Sequence, residues 1–158
     1  MKLEDKYHFE DFAVGEVVDL DAKYLVTREN LTAFAEEFDP QPMHLEPGEI
    51  PGTDMPGPIA SGWHTCSISM RLMSDGYITN SNGMGSPGMD SLKWHKPVFP
   101  GDELWMRRTC KSARVSKSRP EMGICSFLWE LLDQHHELVM EMHGLQMFRT
   151  RASLTGDA

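Results

Sequence analysis

The segment from Asp39 to His44 places an acid and an imidazole on either side of two prolines, in the order Asp39-Pro40-Gln41-Pro42-Met43-His44. Because proline fixes its own backbone angle, the chain between the two side chains has little conformational freedom to lose on folding. A carboxylate and an imidazole held in one arrangement are suited to binding and activating a water molecule. The residues alone leave a second interpretation open, in which Asp39 ends a helix and His44 packs in the interior.

Three other groups of residues carry reactive side chains. Ser61 precedes Gly62, but the first glycine of a G-x-S-x-G nucleophile motif is missing, so we interpret Ser61 as a helix N-cap. His135-His136-Glu137 lies on a predicted turn with no third ligand nearby in the sequence, so we expect exposed turn residues and no metal site. His64 and His95 have no acid beside them in the sequence and are predicted to be structural.

A run of cations without acids occupies residues 104–120. Its members are Arg107, Arg108, Lys111, Arg114, Lys117 and Arg119. Such a run is typical of the solvated face of a strand. The functional alternative is a cationic rim for a phosphorylated or acidic ligand.

Two helices are predicted to position the Asp39–His44 segment. The first begins after Thr27, whose side chain can accept a hydrogen bond from the first turn, and ends at Asp39 because Pro40 disfavours helical geometry there. Its apolar stripe is Leu31, Phe34, Ala35 and Phe38. The second spans residues 62–74, with the stripe Trp63, Cys66, Met70 and Met73. Small residues cover the rest of its surface, which indicates a central helix that other structure surrounds.

The second half of the chain is predicted to form antiparallel strands. They cover residues 92–98, 104–116, 124–132 and 138–148. The third is apolar on both faces and is expected to lie mid-sheet, with Trp129 in the core. Residues 47–58, rich in proline and glycine, and residues 80–88 are predicted loops, and Gly83-Met84-Gly85 lacks the strand–helix context of a dinucleotide loop. Helices early and strands late predict an α+β fold.

Composition limits the classes of function. The 158 residues are expected to form one domain, 1–158, with a core over about residues 7–150. A net charge of −9 argues against nucleic-acid binding. The charged start has no signal-peptide pattern, and no apolar stretch is long enough to span a bilayer, so no membrane partner is expected. The three scattered cysteines suit a reducing cytoplasm.

Four segments together resemble one known family. Asp39-Pro40-Gln41-Pro42-Met43-His44 is similar to the D-x-N-P-x-H signature of MaoC-like dehydratases, which include the (R)-specific enoyl-CoA hydratases. Residues 9–16 resemble the opening of these proteins, residues 58–62 the segment that leads into their central helix, and residues 96–104 their P-V-x-P-G-D turn. The four segments occur in the family's order over nearly the whole chain.

The resemblance implies a hot-dog fold, in which a curved antiparallel sheet wraps a long central helix, and at least a homodimer. Asp39 and His44 would activate the water that adds across a trans-2-enoyl thioester, and the backbone N–H of Gly62 would stabilise the thioester oxygen. No metal or redox cofactor would be needed. The substrate would be an acyl-CoA, with acyl carrier protein as an alternative carrier, and Arg107 and Arg108 would contact its phosphates.

The chain departs from the family signature near the site. Gln41 stands where the signature has Asn, and Glu46 follows where an Asp two residues after the His is more usual. We expect Gln41 and Ser61 to contact substrate, and residues 47–58 to shape a pocket for an unusual or branched acyl chain. Two alternatives remain: an acyl-CoA thioesterase of the hot-dog fold, and a non-catalytic acyl-CoA-binding subunit.

Overall fold

A computed structural model describes residues 6–50 and 52–155. Most of the charged N-terminal start, and Pro51 of the predicted loop, lie outside these residues. The helices are α1 (Arg28–Phe38), α2 (Pro42–Leu45), α3 (Gly62–Met73) and α4 (Ala152–Thr155), with a 3-10 turn at Phe9–Asp11 and a π-helical turn at Ser74–Ile78. The strands are β1 (Val17–Leu25), β2 (Gly48–Glu49), β3 (Pro56–Gly57), β4 (Gly83–Gly85), β5 (Met89–Trp94), β6 (Glu103–Val115), β7 (Met122–Leu132) and β8 (Leu138–Arg149).

Six strands form one antiparallel sheet in the order β1-β6-β7-β8-β4, and β5 also pairs with β8. The central strand β7 buries Phe127, Trp129 and Leu131 completely, and its alternate residues are half-buried. The predictions of a mid-sheet strand and of a core position for Trp129 are confirmed. Within the described residues, no helix is long and apolar enough to cross a membrane.

Helix α3 packs against β1 and β6 of this sheet, but not with the predicted face. Its buried residues include Thr65, Ile68 and Leu72, whereas Trp63 is 62% exposed and Met70 is 46% exposed. The stripe expected to be buried is therefore wrong for these two residues. The face that is buried combines the small residues Thr65 and Ser69 with large apolar side chains, among them Met73 of the predicted stripe.

Helix α1 confirms the predicted bounds. The side chain of Thr27 accepts from the N–H of Asn30, and the side chain of Asn30 accepts from the N–H of Thr27, so both residues satisfy free amides of the first turn. Leu31 is buried, but Phe38 is 64% exposed and contacts the ring of Phe34, with centroids 5.0 Å apart. The predicted stripe is thus wrong at its last residue.

Several predicted boundaries also differ. Strand β5 is observed at Met89–Trp94 rather than at 92–98, because the N–H groups of His95 and Lys96 both turn to the carbonyl of Val139. The chain before Thr27 forms one further strand, β1, which has a register shift between Asp19 and Lys23 in its pairing with β6. The predicted loops contain the short strands β2, β3 and β4.

Removing a buried side chain from the sheet should show how much core packing contributes to the stability of the protein. We expect Leu104→Ala to lower the free energy of unfolding by about 2–5 kcal/mol, since Leu104 is completely buried. Leu25→Ala is the control, because Leu25 is 57% exposed on the neighbouring strand and its loss should cost under about 1 kcal/mol. Urea unfolding measures both, and equal losses would contradict this account of the core.

Candidate active site

A cleft of about 360 Å3 opens beside the N-terminus of α3. Its polar lining includes His44, Gly62 and Thr65, and most of the remaining surface is apolar, with Trp94 on one side. Helix α1, the short helix α2 and α3 come together at its edge. The cleft combines apolar surface with a few convergent polar groups, as small-molecule sites do.

Asp39 and His44 meet at this edge. Asp39 is the residue at which α1 ends, and His44 lies on α2, which Pro42 begins. The Nε2 atom of His44 lies 3.3 Å from Oδ2 of Asp39, and the two side chains are 7% and 18% exposed. The structure thus unites the two interpretations of the sequence: Asp39 ends the helix, His44 is packed, and the two side chains form a pair.

A backbone carbonyl selects the tautomer of the neutral His44 ring. Its Nδ1 atom lies 2.9 Å from the carbonyl oxygen of Ile59. Because a carbonyl oxygen only accepts, Nδ1 carries the proton and donates it. In the neutral ring the lone pair is then on Nε2, the atom that faces Asp39. His44 is therefore arranged to accept a proton at the edge of the cleft.

Two donors hold the Asp39 carboxylate. The amide of Gln41 donates to Oδ1 and the hydroxyl of Ser61 donates to Oδ2, each at 2.6 Å. These hydrogen bonds, from Gln41 first and then from Ser61, outweigh desolvation and lower the pKa of Asp39. Asp39 is therefore a carboxylate at neutral pH and acts as a hydrogen-bond acceptor.

Ser61 connects this carboxylate to α3. It is the N-cap of the helix, and its Oγ accepts from the N–H of Trp63 at 3.2 Å while donating to Asp39. The predicted N-cap is confirmed. Since the hydroxyl proton goes to a carboxylate and not to His44, the arrangement does not activate Ser61 as a nucleophile.

Gly62 is the first residue of α3 and lines the cleft. An amide in the first turn has no acceptor within its own helix, so it can donate to a ligand. A Cβ at this position would lie 2.9 Å from the ring of Trp94, whose indole N–H donates to the Gly62 carbonyl at 3.1 Å. The close indole explains why glycine is required here.

The two arginines expected at the substrate are not brought to this cleft. Arg107 donates two hydrogen bonds to Asp19 across the β1–β6 pair. Arg108 is buried, binds Glu16 at 3.0 Å and stacks over aromatic rings of the core, including that of Tyr77. Their partners lie far away in the sequence, which is why a local run of cations could not reveal them.

The other histidines occupy different environments. His64 is buried, stacks on Phe34 with ring centroids 4.7 Å apart, and has a pKa lowered by burial. His95 lines the cleft and lies 3.6 Å from a carboxylate oxygen of Glu141, which sequence reasoning missed. His136 packs against Trp105 on the hairpin. Among the described residues, no group of three or more His, Cys, Asp or Glu could hold a metal ion.

Sequence reasoning also missed Trp94 and Ile59. The indole of Trp94 donates to the carbonyl of Gly62. Ile59 contributes only its backbone carbonyl, and the residue type gives no indication that a backbone carbonyl will be used in this way. Lys96 also lines the cleft. It donates to Asp133 and Glu137, and these hydrogen bonds raise the pKa of Lys96. The one available signal was position, since Trp94 lies two residues before the segment that resembles the family turn.

The chain is similar to known proteins over most of its length. The model of the MaoC like domain matches residues 10–124. The uncharacterised protein YdeM of Bacillus subtilis (strain 168) is 30% identical over 133 residues, which are 84% of this chain and 92% of that protein.

Two solved structures have the same architecture. The MaoC-like dehydratase from Rhodospirillum rubrum has a TM-score of 0.78 and 36% identity, covering 91% of this chain and 98% of that one. An (R)-hydratase from A. caviae involved in PHA biosynthesis has a TM-score of 0.68 and 20% identity, covering 89% and 99%. At 20% identity, the similarity to the (R)-hydratase is evidence for the fold alone. The predicted hot-dog fold is confirmed.

Ser61→Ala should separate the two roles of this hydroxyl. We expect the pKa of Asp39 to rise, because one donor to its carboxylate is lost, and α3 to lose about 1 kcal/mol of N-cap stabilisation. Carboxyl 13C NMR titration measures the first effect and denaturant unfolding the second. Ser67→Ala is the control, since Ser67 is exposed on the same helix and its hydroxyl donates, within the described part of the chain, only to the carbonyl of Trp63.

The sign of the pH dependence follows from the lowered pKa. The ionised carboxylate contributes stability fully above the unfolded-state pKa, and this contribution is lost as the pH falls through the lower folded-state value. The stability difference between Ser61→Ala and the unmodified protein should therefore shrink in acid. An unchanged Asp39 titration in Ser61→Ala would contradict the assigned hydrogen bond.

Proposed function

The chain belongs to the family of MaoC-like dehydratases, and from this premise we propose that it adds water to trans-2-enoyl thioesters and removes it from 3-hydroxyacyl thioesters. The observation that carries the proposal is the Asp39–His44 pair, with Nε2 and Oδ2 3.3 Å apart at the edge of an apolar cleft that Gly62 also lines. The (R)-hydratase with the same fold is consistent with this chemistry.

The pair defines where the reacting water binds. With Nδ1 of His44 protonated, Nε2 and the Asp39 carboxylate both present lone pairs. One water can donate a proton to each of them, and its own lone pair then points away from the protein atoms. That lone pair is the nucleophile for the β-carbon of a bound enoyl group.

The steps balance without an added reagent. His44 Nε2 takes a proton from the water as its oxygen bonds to the β-carbon, and the electrons of the double bond move onto the thioester oxygen. The N–H of Gly62 donates to that oxygen as it becomes enolate-like. His44 then returns the proton to the α-carbon. The reaction is redox-neutral, so it requires no redox cofactor.

The two polar neighbours act on Asp39 in this proposal. Gln41 and Ser61 were expected to contact substrate, but their hydrogen bonds are directed to the carboxylate. We assign both as positioning residues. Gln41, which stands where the signature has Asn, still reaches Oδ1 with its longer side chain.

A second copy of the chain is proposed to pack on strand β5. Its residues are exposed except for the half-buried Leu92, and Trp63 and Met89 are exposed apolar side chains on α3 and β5. An exposed strand edge beside apolar surface favours pairing with another strand. A homodimer would cover this surface near the cleft. The substrate is proposed to be an acyl-CoA, with acyl carrier protein as the alternative carrier.

Substitution of the pair should abolish turnover. We expect Asp39→Asn and His44→Ala each to lower kcat by about two orders of magnitude or more, since each removes a group that holds or deprotonates the water. The measurement is loss of the conjugated enoyl-thioester absorbance over short, branched and aromatic trans-2-enoyl-CoAs. Asp21→Asn and His135→Ala are controls, because both residues are exposed and do not line the cleft.

A simultaneous free-thiol readout distinguishes the alternatives. Loss of conjugation without thiol release, absent in the Asp39 variant, supports a hydratase. Thiol release would identify a thioesterase. Full activity in either variant of the pair would overturn the mechanism, and silence across the panel would favour a binding subunit.

The proposed dimer can be tested by a substitution that introduces a charge into the exposed apolar surface. We expect Trp63→Glu to sediment as a monomer, because a carboxylate cannot be buried there without a partner. Val14→Glu is the matched control, since Val14 and Trp63 are both 62% exposed and Val14 lies in the N-terminal turn region. Sedimentation velocity measures both, and a monomeric unmodified protein would contradict the proposal.

A further inference from the structure

The indole of Trp94 is held in one orientation at the wall of the cleft. Its N–H donates to the carbonyl of Gly62 at 3.1 Å, and the ring of Trp63 packs edge-on against it, with ring centroids 5.8 Å apart and planes at 87°. On strand β5, Trp94 lies directly opposite Met140, which is completely buried. A hydrogen bond, an aromatic contact and a strand pairing together restrict the ring.

One edge of this ring lies on Gly62. The atoms Nε1, Cε2 and Cζ2 of Trp94 are between 2.9 and 3.1 Å from the position that a Cβ of Gly62 would occupy. At the φ of an α-helix, the N–H bond of a residue points to the same side as its Cα–Cβ bond. An oxygen atom that accepts from the N–H of Gly62 therefore lies beside the indole.

The rest of the indole remains open to a ligand. Trp94 is 44% exposed in the single chain, although its ring is fixed on one side. It borders the cleft together with His44, Gly62 and Thr65. A rigid, flat, apolar surface next to a backbone donor suits a planar group that carries one acceptor oxygen.

We propose that the enoyl thioester lies flat against the indole of Trp94, and that the indole keeps water away from the hydrogen bond between the Gly62 N–H and the thioester oxygen. This role rests on the proposed function, since it concerns the same substrate and the same reaction. Trp94 then contacts the substrate and affects the rate of the chemical step as well as binding.

Exclusion of water increases the effect of the Gly62 donor. The C=C and C=O bonds of a trans-2-enoyl thioester are conjugated and coplanar, so one ring can cover the whole reacting part. Negative charge develops on the thioester oxygen as water adds to the β-carbon. A fixed donor stabilises this charge more strongly where water does not compete for the oxygen. The indole closes one side from which water would approach.

The first test measures polarisation of the thioester without turnover. An aromatic trans-2-enoyl-CoA is bound to the Asp39→Asn variant at saturating protein, and its conjugated absorbance is recorded. A donor to the thioester oxygen draws electrons through the conjugated system and shifts this absorbance to longer wavelength. We expect a clear shift in Asp39→Asn and a much smaller one when Trp94→Leu is added, because water then reaches the oxygen.

The second test measures the rate of hydration. We expect Trp94→Leu to lower kcat about tenfold, a part of the roughly hundredfold loss that follows removal of a whole oxyanion donor. Trp94→Phe keeps a flat ring, so it should lose less. Trp105→Phe is the matched control: its indole N–H also donates to a backbone carbonyl, that of Asp133 at 3.0 Å, but Trp105 is outside the set of described residues that line the cleft.

Failure of this role is distinguishable from failure of the proposed function. An unchanged absorbance shift in the Trp94→Leu variant, or no binding of the aromatic enoyl-CoA, would overturn the assignment. A monomeric Trp94→Leu variant with an unchanged shift would also overturn it, since Trp94 would then serve only the contact between subunits. A shift that depends on Trp94, in a protein that hydrates no enoyl-CoA, would support the indole wall and overturn the hydratase assignment.

Discussion

The carboxylate of Asp39 joins three helices at one point. It lies at the end of α1, faces His44 on α2, and accepts from Ser61, the N-cap of α3. Because these bonds converge on two oxygen atoms, the position of each helix end fixes the others. Ser61 shares its hydroxyl between Asp39 and the N–H of Trp63, so helix capping and orientation of the carboxylate depend on the same atom.

Helix α3 extends this constraint through the molecule. Its buried face carries small residues such as Thr65 and Ser69 among larger ones. Its first residue approaches the indole of Trp94, and its continuation places Tyr77 in the core beside Trp129. One continuous helical segment therefore contributes Gly62 to the lining of the cleft and Tyr77 to the core.

The sequence was sufficient where the determining contacts are local. The cap at Thr27, the end of α1 before Pro40 and the two-faced strand β7 each follow from short patterns, and the Asp39–His44 segment carried the family resemblance. It was insufficient where partners are distant. Arg108 meets Glu16 and Tyr77 only after folding. The exposed face of α3 was also unpredictable, because helical periodicity identifies an apolar face but not which surface of the fold it meets.

The spacing of the Asp39–His44 pair suits both stages of the proposed reaction. Before proton transfer, a carboxylate and an imidazole lone pair 3.3 Å apart repel one another and together attract a donor, which is the role of the water. After transfer, the same separation places an imidazolium beside a carboxylate, and attraction replaces repulsion. Since Gln41 and Ser61 keep Asp39 ionised throughout, no proton need move onto the acid. The rigid spacing thus favours transfer to His44 without motion of either side chain.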